Sequence, residues 1–550
     1  MTSSSMSPVR VDGSNTWETL SAAKRGALAA SIPDQWRVPA HLLPSPEQID
    51  VMNWPEESGW FTDEELSITK QSASQLLSNL ASGRLQSTAV TAAFCKRACA
   101  AHALANCLTE TCFDHAMKLA ERCDAHLRDT GRTIGPLHGL PISLKDNFKV
   151  KGLDATIGLA SNIDNPAQDD STLVKLLESA GAVIYVKTNV PPAMMMAETV
   201  NNIFGRTVNP RNRLTTCGGS SGGEAALIAL RGSPIGVGSD IGGSLRIPAA
   251  CTGLYTLKPS SGRFPTSNTV SGLMGQESVL SVNGPLANTL DDLKAYSKAI
   301  VDSKPWLLDT KCLPIPWRDV RLNHRLKFAI MWDDGVVKPT PPILRALTAI
   351  REALEADGHE VVSWVPTGHL DALTFLEKTF TADGGQSIRT ALEQTGEPWH
   401  AEMDSFRKAS GISTYELWQL QHQRSLFQAQ YLEQWNQTGI DGLICPTAPF
   451  NTTRHGRFIY IGYTSVFNIL DYCATSFPTG ITVNKLKDQV DPHYQPLSPL
   501  CKIVNEQYDE DMNLMSGLPV NLQLVARRLE EEKVLSMTSL IETRLAAFNA

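Results

Sequence analysis

The segment that decides the fold class is DDSTLVKLLESAGAVIYVKTNVPP, which occupies residues 169–192. Three of its apolar residues recur at the spacing of one helix face: Leu173, Leu176 and Leu177. Gly181 marks the end of that helix, and the apolar, β-branched run at 182–186 predicts a buried strand. A helix, a glycine and a buried strand in this order are typical of an α/β protein.

A second segment repeats this plan. PPILRALTAIREALEADGHEVVSWVP, at 341–366, predicts a helix that ends at Gly358 and a strand at 361–365. Two such units imply crossover connections between strands. We therefore expect a central mixed, largely parallel β-sheet covered by helices on both faces.

The composition is that of an ordinary globular protein. Of its 550 residues, 42% are hydrophobic and 19% are charged, and the formal net charge is −8, which disfavours a nucleic-acid partner. The start of the chain lacks the apolar core of a signal peptide and no long apolar run follows, so we expect a cytoplasmic protein without a membrane span. The eleven cysteines form no C-x-x-C pair and H-E-x-x-H is absent, so we expect no metal and no other cofactor.

The chain is predicted to have two regions. Residues 1–130 are expected to form a helical region packed on the core, because apolar residues recur at helical spacing on both sides of Gly83. Residues 131–550 contain the alternating helices and strands and are predicted to be the catalytic core, in one continuous domain with the first region. The polar, proline-containing stretch at 483–499 predicts a surface excursion.

A glycine–serine cluster stands directly before an apolar, helix-forming run in CGGSSGGEAALIAL, residues 217–230. Clustered glycines indicate backbone that comes close to another group, either a phosphate or a reacting serine. A phosphate loop of the P-loop type would need a lysine after the glycines, and none is present. The later Gly236 and Gly238 are followed by Ile241, so the dinucleotide-binding spacing also fails. A generic anion nest stays open.

The serine interpretation has two versions, and the first uses a histidine. Residues 218–222 match G-x-S-x-G, the nucleophile elbow of α/β-hydrolases, with Ser220 or Ser221 as the nucleophile. Such a serine needs a histidine base from further along the chain. The candidates by position are His324, His359, His369, His400, His422, His455 and His493.

The second version uses a lysine as the base. In GPLHGLPISLKDNF, Lys145 follows the strand-like run at 140–144, which predicts that it enters the sheet. Burial favours the neutral amine, and a neutral lysine can accept a proton from a serine. The alternative is that Lys145 forms an ion pair with the neighbouring Asp146 at the strand end.

Three motifs together resemble the amidase signature family: Lys145 in GLPISLKD, the run CGGSSGG, and GVGSDIGGSLRIPAA. They occur in this order, with 75 residues from Lys145 to Ser220 and 24 from Ser220 to Ser244. The resemblance extends along nearly the whole chain and is greatest to fungal acetamidase-type members, in which glycines are common at the places of Ala225 and Ala526. It implies the amidase signature fold and the hydrolysis of a carboxylic amide, acetamide-like or another small aliphatic or aryl amide, to the carboxylate and ammonia.

The resemblance also implies roles for individual residues. Ser244 would be the nucleophile, Lys145 the base and Ser220 the bridging serine, within a loop that has a cis peptide bond. The backbone N–H groups of Ile241, Gly242, Gly243 and Ser244 would bind the oxyanion of the intermediate. Met194 would line the substrate site, and Asp240 and Arg246 would hold the loop around the nucleophile.

Several alternatives stay open at this point. The same motifs occur in glutaminase subunits of tRNA-dependent amidotransferases, although the long N-terminal region favours a free-standing hydrolase. An α/β-hydrolase esterase using Ser220 or Ser221 is the second alternative. The resemblance leaves the substrate open among short aliphatic, aryl and fatty acid amides, and it is the sole basis for expecting a homodimer.

Overall fold

The centre of the protein is an 11-stranded sheet. The structure is a computed structural model that describes residues 16–322 and 325–549. His324 and the start of the chain, on which the expectation of no signal peptide rests, lie outside the described residues. The sheet strands are β1 (Leu108–Thr111), β2 (Pro141–Lys145), β3 (Val183–Thr188), β8 (Ile235–Asp240), β9 (Tyr255–Lys258), β10 (Val282–Ala287), β11 (Lys327–Ile330), β12 (Glu360–Ser363), β13 (Gly442–Pro446), β14 (Cys473–Thr482) and β15 (Pro519–Ala526). Their order across the sheet is β1-β3-β2-β8-β10-β9-β14-β15-β13-β11-β12.

Four further strands form two small hairpins near the site, namely β4 (Val200–Asn201) with β5 (Gly205–Arg206) and β6 (Val208–Asn209) with β7 (Asn212–Thr216). The helices are α1 (Trp17–Ser31), α2 (Trp54–Glu57), α3 (Asp63–Lys70), α4 (Ala73–Ala81), α5 (Ser87–Ala105), α6 (Phe113–Thr130), α7 (Thr172–Ser179), α8 (Gly222–Ala229), α9 (Arg246–Thr252), α10 (Leu290–Asp302), α11 (Pro341–Ala356), α12 (His369–Phe380), α13 (Gln386–Glu393), α14 (Asp404–Lys408), α15 (Thr414–Thr438), α16 (Gly462–Ile469), α17 (Pro499–Met515) and α18 (Glu531–Asn549). In the described part of the chain, no helix is both long and apolar enough to span a bilayer.

The mixed, helix-flanked sheet is confirmed, but the expectation that it is largely parallel is wrong. Of its ten described strand pairings, four are parallel and six are antiparallel. The two helix–glycine–strand units produce two of the four parallel pairings, of β2 with β3 and of β11 with β12. The central strands β10, β9, β14 and β15 pair antiparallel. The sequence has no repeated helix–strand pattern that predicts them. Consecutive residues of β3, β8 and β10 are all buried, so both faces of the sheet are covered there.

The N-terminal region adds a strand to the sheet as well as helices. β1 pairs antiparallel with β3 at the edge, and Lys24 on α1 forms ion pairs with Glu110 on β1 and with Asp154. Apolar residues from both predicted regions belong to one core, among them Leu76 and Phe94 with Leu140 and Leu177. The division at residue 130 stays a prediction.

The topology brings the candidate residues together at one edge of the sheet. β2 and β8 are parallel neighbours, with Leu144 opposite Val237, so Lys145 and Asp240 both lie where their strands end. Loops at the carboxyl ends of parallel strands are the usual binding sites of α/β proteins. Ser244 lies in the loop between β8 and α9. Ser220 lies between β7 and α8 and reaches the same edge, where it contacts Lys145.

Candidate active site

Lys145 is fully buried at the end of β2, and three oxygen atoms of two serines surround its amine. Its Nζ lies within hydrogen-bond distance of Ser220 Oγ at 2.7 Å, of Ser239 Oγ at 2.9 Å and of the Ser239 carbonyl at 3.4 Å. The alternative of an ion pair with Asp146 is therefore wrong. Ser239 was not among the predicted site residues, although a polar residue at the end of a neighbouring strand is a signal that could have found it.

Asp146 faces a different set of groups. Its carboxylate accepts hydrogen bonds from the hydroxyls of Thr109 and Thr156 and from the Ile157 amide, and Lys187 Nζ lies 3.6 Å away. Adjacent residues at a strand end point to opposite faces of the sheet, which separates the two side chains. Lys145 is thus left without a carboxylate in hydrogen-bond contact.

The environment of Lys145 favours its neutral amine. Burial lowers the pKa of Lys145 from 10.5 to about 7, although the negative charges of Asp240 and Glu224 act in the opposite direction. Glu224 is a second buried acid that the sequence did not single out. Burial raises the pKa of Glu224 to about 8, although its carboxylate accepts hydrogen bonds from Ser143 and Thr188.

The glycine–serine cluster lies against backbone from elsewhere in the chain. A cis peptide bond joins Gly219 to Ser220, as the family resemblance implies. A Cβ atom at Gly219 would lie 2.8 Å from the Ala197 carbonyl carbon, and one at Gly223 would collide with the backbone of Asn189. Glycine is therefore needed at these positions because other backbone segments pack directly against them. Helix α8 begins within the cluster, at Gly222.

Asp240 organises the loop that holds Ser244. Its carboxylate accepts hydrogen bonds from the Gly243 amide at 2.9 Å and the Leu245 amide at 3.1 Å, and it pairs with the buried Arg246. Burial alone would raise the pKa of Asp240, but the Arg246 cation and its hydrogen bonds hold it at about 2. Asp240 and Arg246 thus hold the loop, as predicted, and the Ser221 amide ties the glycine–serine cluster to it by donating to the Ser244 carbonyl.

Gly243 differs from its predicted role. Because its N–H donates to Asp240, it is not free to bind an oxyanion, and the predicted donors reduce to the amides of Ile241, Gly242 and Ser244. Gly243 has φ +137°, and a Cβ there would lie 2.7 Å from Ile247 Cδ1 and collide with Thr464 Oγ1. Glycine is required at this position for the shape of the loop.

Five of the predicted site residues line two cavities that meet at Ser244, namely Met194, Ser220, Ile241, Gly242 and Ser244. The larger one, of about 460 Å³, is lined by Met194, Gly219, Ile241, Gly242 and Ser244. Its outer wall is mostly apolar and was not predicted from sequence: Met195, Met196, Ala197, Ile247, Leu373, Leu376, Glu377, Phe380, Thr381, Glu402, Ser405, Phe406, Phe458, Ile459, Tyr460, Ile461 and Leu500.

The smaller cavity, of about 20 Å³, is lined by Ser220, Ser239 and Ser244 together with Met194, among others. Ser220 is 1% exposed, whereas Ser244 is partly exposed at the junction with the larger cavity. This arrangement suits a relay in which Ser220 lies inside, beside Lys145, and Ser244 meets the substrate.

The histidine version of serine chemistry has no base among residues 16–322 and 325–549. Among the described residues, no histidine lines either cavity or hydrogen-bonds to Ser220, Ser221 or Ser244. The Ser221 hydroxyl donates instead to the Ser239 carbonyl at 3.3 Å. Of the candidates, His455 bonds to the Arg213 carbonyl, and His369 packs beside an aromatic ring at an unrelated part of the core.

Comparison with known proteins decides the family. A family model described as Amidase matches residues 89–535. The chain belongs to the amidase family. Among curated relatives, "Putative amidase kk1C" of Curvularia clavata is 42% identical and the "Acetamidase" of Aspergillus oryzae is 40% identical, each over 96% of this chain and 98% of the relative. A solved structure named "Fatty acid amide hydrolase" superposes with a TM-score of 0.92 at 35% identity, covering 96% of this chain and 95% of the other.

Proposed function

We propose that this amidase hydrolyses a carboxylic amide to the carboxylate and ammonia, with Lys145 as base, Ser220 as relay and Ser244 as nucleophile. The observation that carries the proposal is the buried Lys145 amine, whose pKa of about 7 suits a base at neutral pH and whose Nζ lies 2.7 Å from Ser220 Oγ. An effective general base has a pKa near the working pH.

A neutral Lys145 amine can use all three of its contacts. A neutral amine has two N–H donors and one lone pair. Ser239 Oγ and the Ser239 carbonyl lie 2.9 and 3.4 Å from Nζ and can accept the two donors. The lone pair is then left for the hydroxyl proton of Ser220, the third neighbour.

The first half-reaction forms an acyl-enzyme. Lys145 takes the proton of Ser220, Ser220 takes the proton of Ser244, and the Ser244 oxygen attacks the amide carbonyl. The amides of Ile241, Gly242 and Ser244 stabilise the oxyanion, and removal of one such donor in a comparable site costs about 3–4 kcal/mol of transition-state stabilisation.

The leaving amine needs a proton because an amide nitrogen is a poor leaving group as an anion. Lys145 returns its proton through Ser220 as the C–N bond breaks, and ammonia departs. Water then attacks the acyl group on Ser244 with the same groups acting as base and acid in turn. The product leaves as the carboxylic acid, which loses its proton to solvent to give the carboxylate, and all three side chains return to their starting protonation.

The large cavity supports an apolar acyl group. Its volume of about 460 Å³ falls in the range of sites that hold drug-sized ligands, and Phe380, Phe406 and Phe458 supply aromatic surface. Among the similar proteins, one is named for acetamide and one for fatty acid amides. We propose that aryl or alkyl amides larger than acetamide fill this site best.

The glutaminase alternative fits the cavity less well. Glutamine carries an α-carboxylate, for which a glutaminase site would supply a cation. The described lining contains Glu377 and Glu402 but no lysine, arginine or histidine. The esterase alternative finds no histidine beside its serines in the part of the chain that the structure describes.

We also propose a reducing, cytoplasmic location. All eleven cysteines are free thiols, and ten of them are buried. Disulfides persist in oxidising compartments and are rare in the cytosol. The homodimer stays a prediction that rests on the family resemblance.

Ammonia release from acetamide, benzamide, indole-3-acetamide and dodecanamide tests the proposal. We expect higher kcat/KM for at least one of the three larger amides than for acetamide, and no turnover by Ser244→Ala. Glutamine as the best substrate, or cleavage of matched esters without cleavage of any amide, would overturn it.

A further inference from the structure

Two glutamates interrupt the apolar wall of the large cavity. On α12, Leu373, Leu376, Glu377 and Phe380 all line it. Residues at this spacing share one face of a helix, so Glu377 occupies a place on an otherwise apolar stripe. An exposed carboxylate on the inner face of such a stripe places a charge beside whatever occupies the cavity.

The second acid, Glu402, lies on a separate segment that also lines the cavity. Glu402, Ser405 and Phe406 line the cavity at successive turns, so Glu402 also lies beside a phenylalanine. Both glutamate side chains are exposed. Each acid therefore reaches water and the cavity together.

No lysine or arginine pairs with either acid within residues 16–322 and 325–549. His400 lies near Glu402, but burial lowers the pKa of this histidine. Neither carboxylate takes part in a described ion pair or side-chain hydrogen bond, although both segments contain cations. Lys378 lies in a different groove with Asp371. Arg407 and Lys408 pair with Asp404.

We propose that Glu377 and Glu402 make this enzyme select amides by the charge of the acyl chain, accepting uncharged and ammonium-bearing chains and rejecting carboxylate-bearing ones. The inference rests on the proposed function, because it concerns the substrate of the same site. It assigns these acids to specificity, and they take no part in the transfer of protons.

The expected size of the effect follows from Coulomb's law. A charge about 7 Å from a carboxylate, with a dielectric constant between those of protein and water, changes affinity by about three- to eightfold. Two carboxylates together give about tenfold or more. Added salt reduces the effect, because both acids are open to solvent.

The test uses three amides of equal chain length: hexanamide, 6-aminohexanamide and the monoamide of adipic acid. Both charged chains lose hydration on entering an apolar cavity, so their ratio of kcat/KM isolates the sign of the local potential. A ten-carbon set of the same design covers a longer reach from Ser244. We expect the ammonium-bearing amide to exceed the carboxylate-bearing one by about tenfold or more at low salt.

Substitution identifies the residues responsible. In the double variant Glu377→Gln, Glu402→Gln, we expect this ratio to fall at least about fivefold and to lose its salt dependence. Asp371→Asn is the matched control, because it removes one exposed charge from the same helix outside the cavity, and its ratio stays that of the wild type.

The outcomes separate the two proposals. Equal ratios in wild type and double variant, or a preference for the carboxylate-bearing amides in both sets, would overturn the charge selection while leaving amide hydrolysis intact. Absence of hexanamide and decanamide hydrolysis, with no ammonia from the larger amides above, would overturn the proposed function and this inference with it.

Discussion

Replacing Lys145 by methionine removes the proposed base while keeping an unbranched side chain in its place. Burial lowers the pKa of Lys145 from 10.5 to about 7. Lys145 is then neutral in about half of the molecules at pH 7, whereas a lysine at its ordinary pKa would be neutral in only about 0.03% of them. Burial therefore enlarges the supply of free base by roughly a thousandfold.

This population fixes the shape of the pH profile. The neutral fraction rises from about 0.1 at pH 6 to about 0.9 at pH 8, so kcat/KM for an uncharged amide rises about tenfold over that interval. Lys145→Met loses this rise and about 10²- to 10⁴-fold of the rate, the usual contribution of general acid–base catalysis.

Initial rates of ammonia release from hexanamide between pH 5.5 and 9 measure both effects. The neutral substrate does not titrate in this range, so the profile reports the enzyme. An unchanged rise with pH in the Lys145→Met variant would assign the base to another group and refute the reasoning.

Three further predictions follow from the same contacts. The folded-state pKa of Lys145 lies below its unfolded value, so the unfolded chain binds more protons between pH 7 and 10.5. Wild-type stability relative to Lys145→Met should therefore rise through that window by up to about 5 kcal/mol, and a flat difference in urea unfolding would contradict this. Gly243→Ala should abolish most activity, because its Cβ would collide with Thr464; near-normal kcat would show that the loop tolerates it. Lys145→Ala should slow amide hydrolysis far more than hydrolysis of the matched ester, whose leaving group needs less protonation, and equal losses would remove the leaving-group role.

Local sequence patterns predicted the parts of the fold that repeat a local plan. The helix before Gly181 and the strand after it are observed as α7 and β3, with the strand at Val183–Thr188. The position of Lys145 at the end of a buried strand is also confirmed. The antiparallel centre of the sheet was missed, because strand direction there depends on long-range pairings such as that of β9 with β14.

The contacts within the site could not be read from neighbouring letters. Lys145 and Asp146 are adjacent in sequence, yet one meets Ser239 from another strand and the other meets Thr109 from the edge of the sheet. Gly243 lies in a recognised motif, but the hydrogen bond of its amide to Asp240 depends on the path of the loop.

The cavity wall illustrates the same limit at longer range. Phe380, Phe406 and Phe458 come from three separate segments and line one cavity. In sequence, such residues cannot be distinguished from ordinary core residues, because both are apolar and recur at helical spacing. Which of these side chains line the cavity becomes clear only when α12 and the segments that contain Phe406 and Phe458 are packed against the site.

The most direct test of the central claim is to identify the serine that becomes acylated or phosphonylated. The enzyme is treated with a fluorophosphonate, digested and analysed by peptide mass spectrometry, with Ser244→Ala as the control. The proposed mechanism predicts a single adduct on Ser244, and a control protein that is unlabelled and inactive but has the wild-type thermal transition. An adduct on Ser220 or Ser221, with Ser244 unmodified, would contradict it.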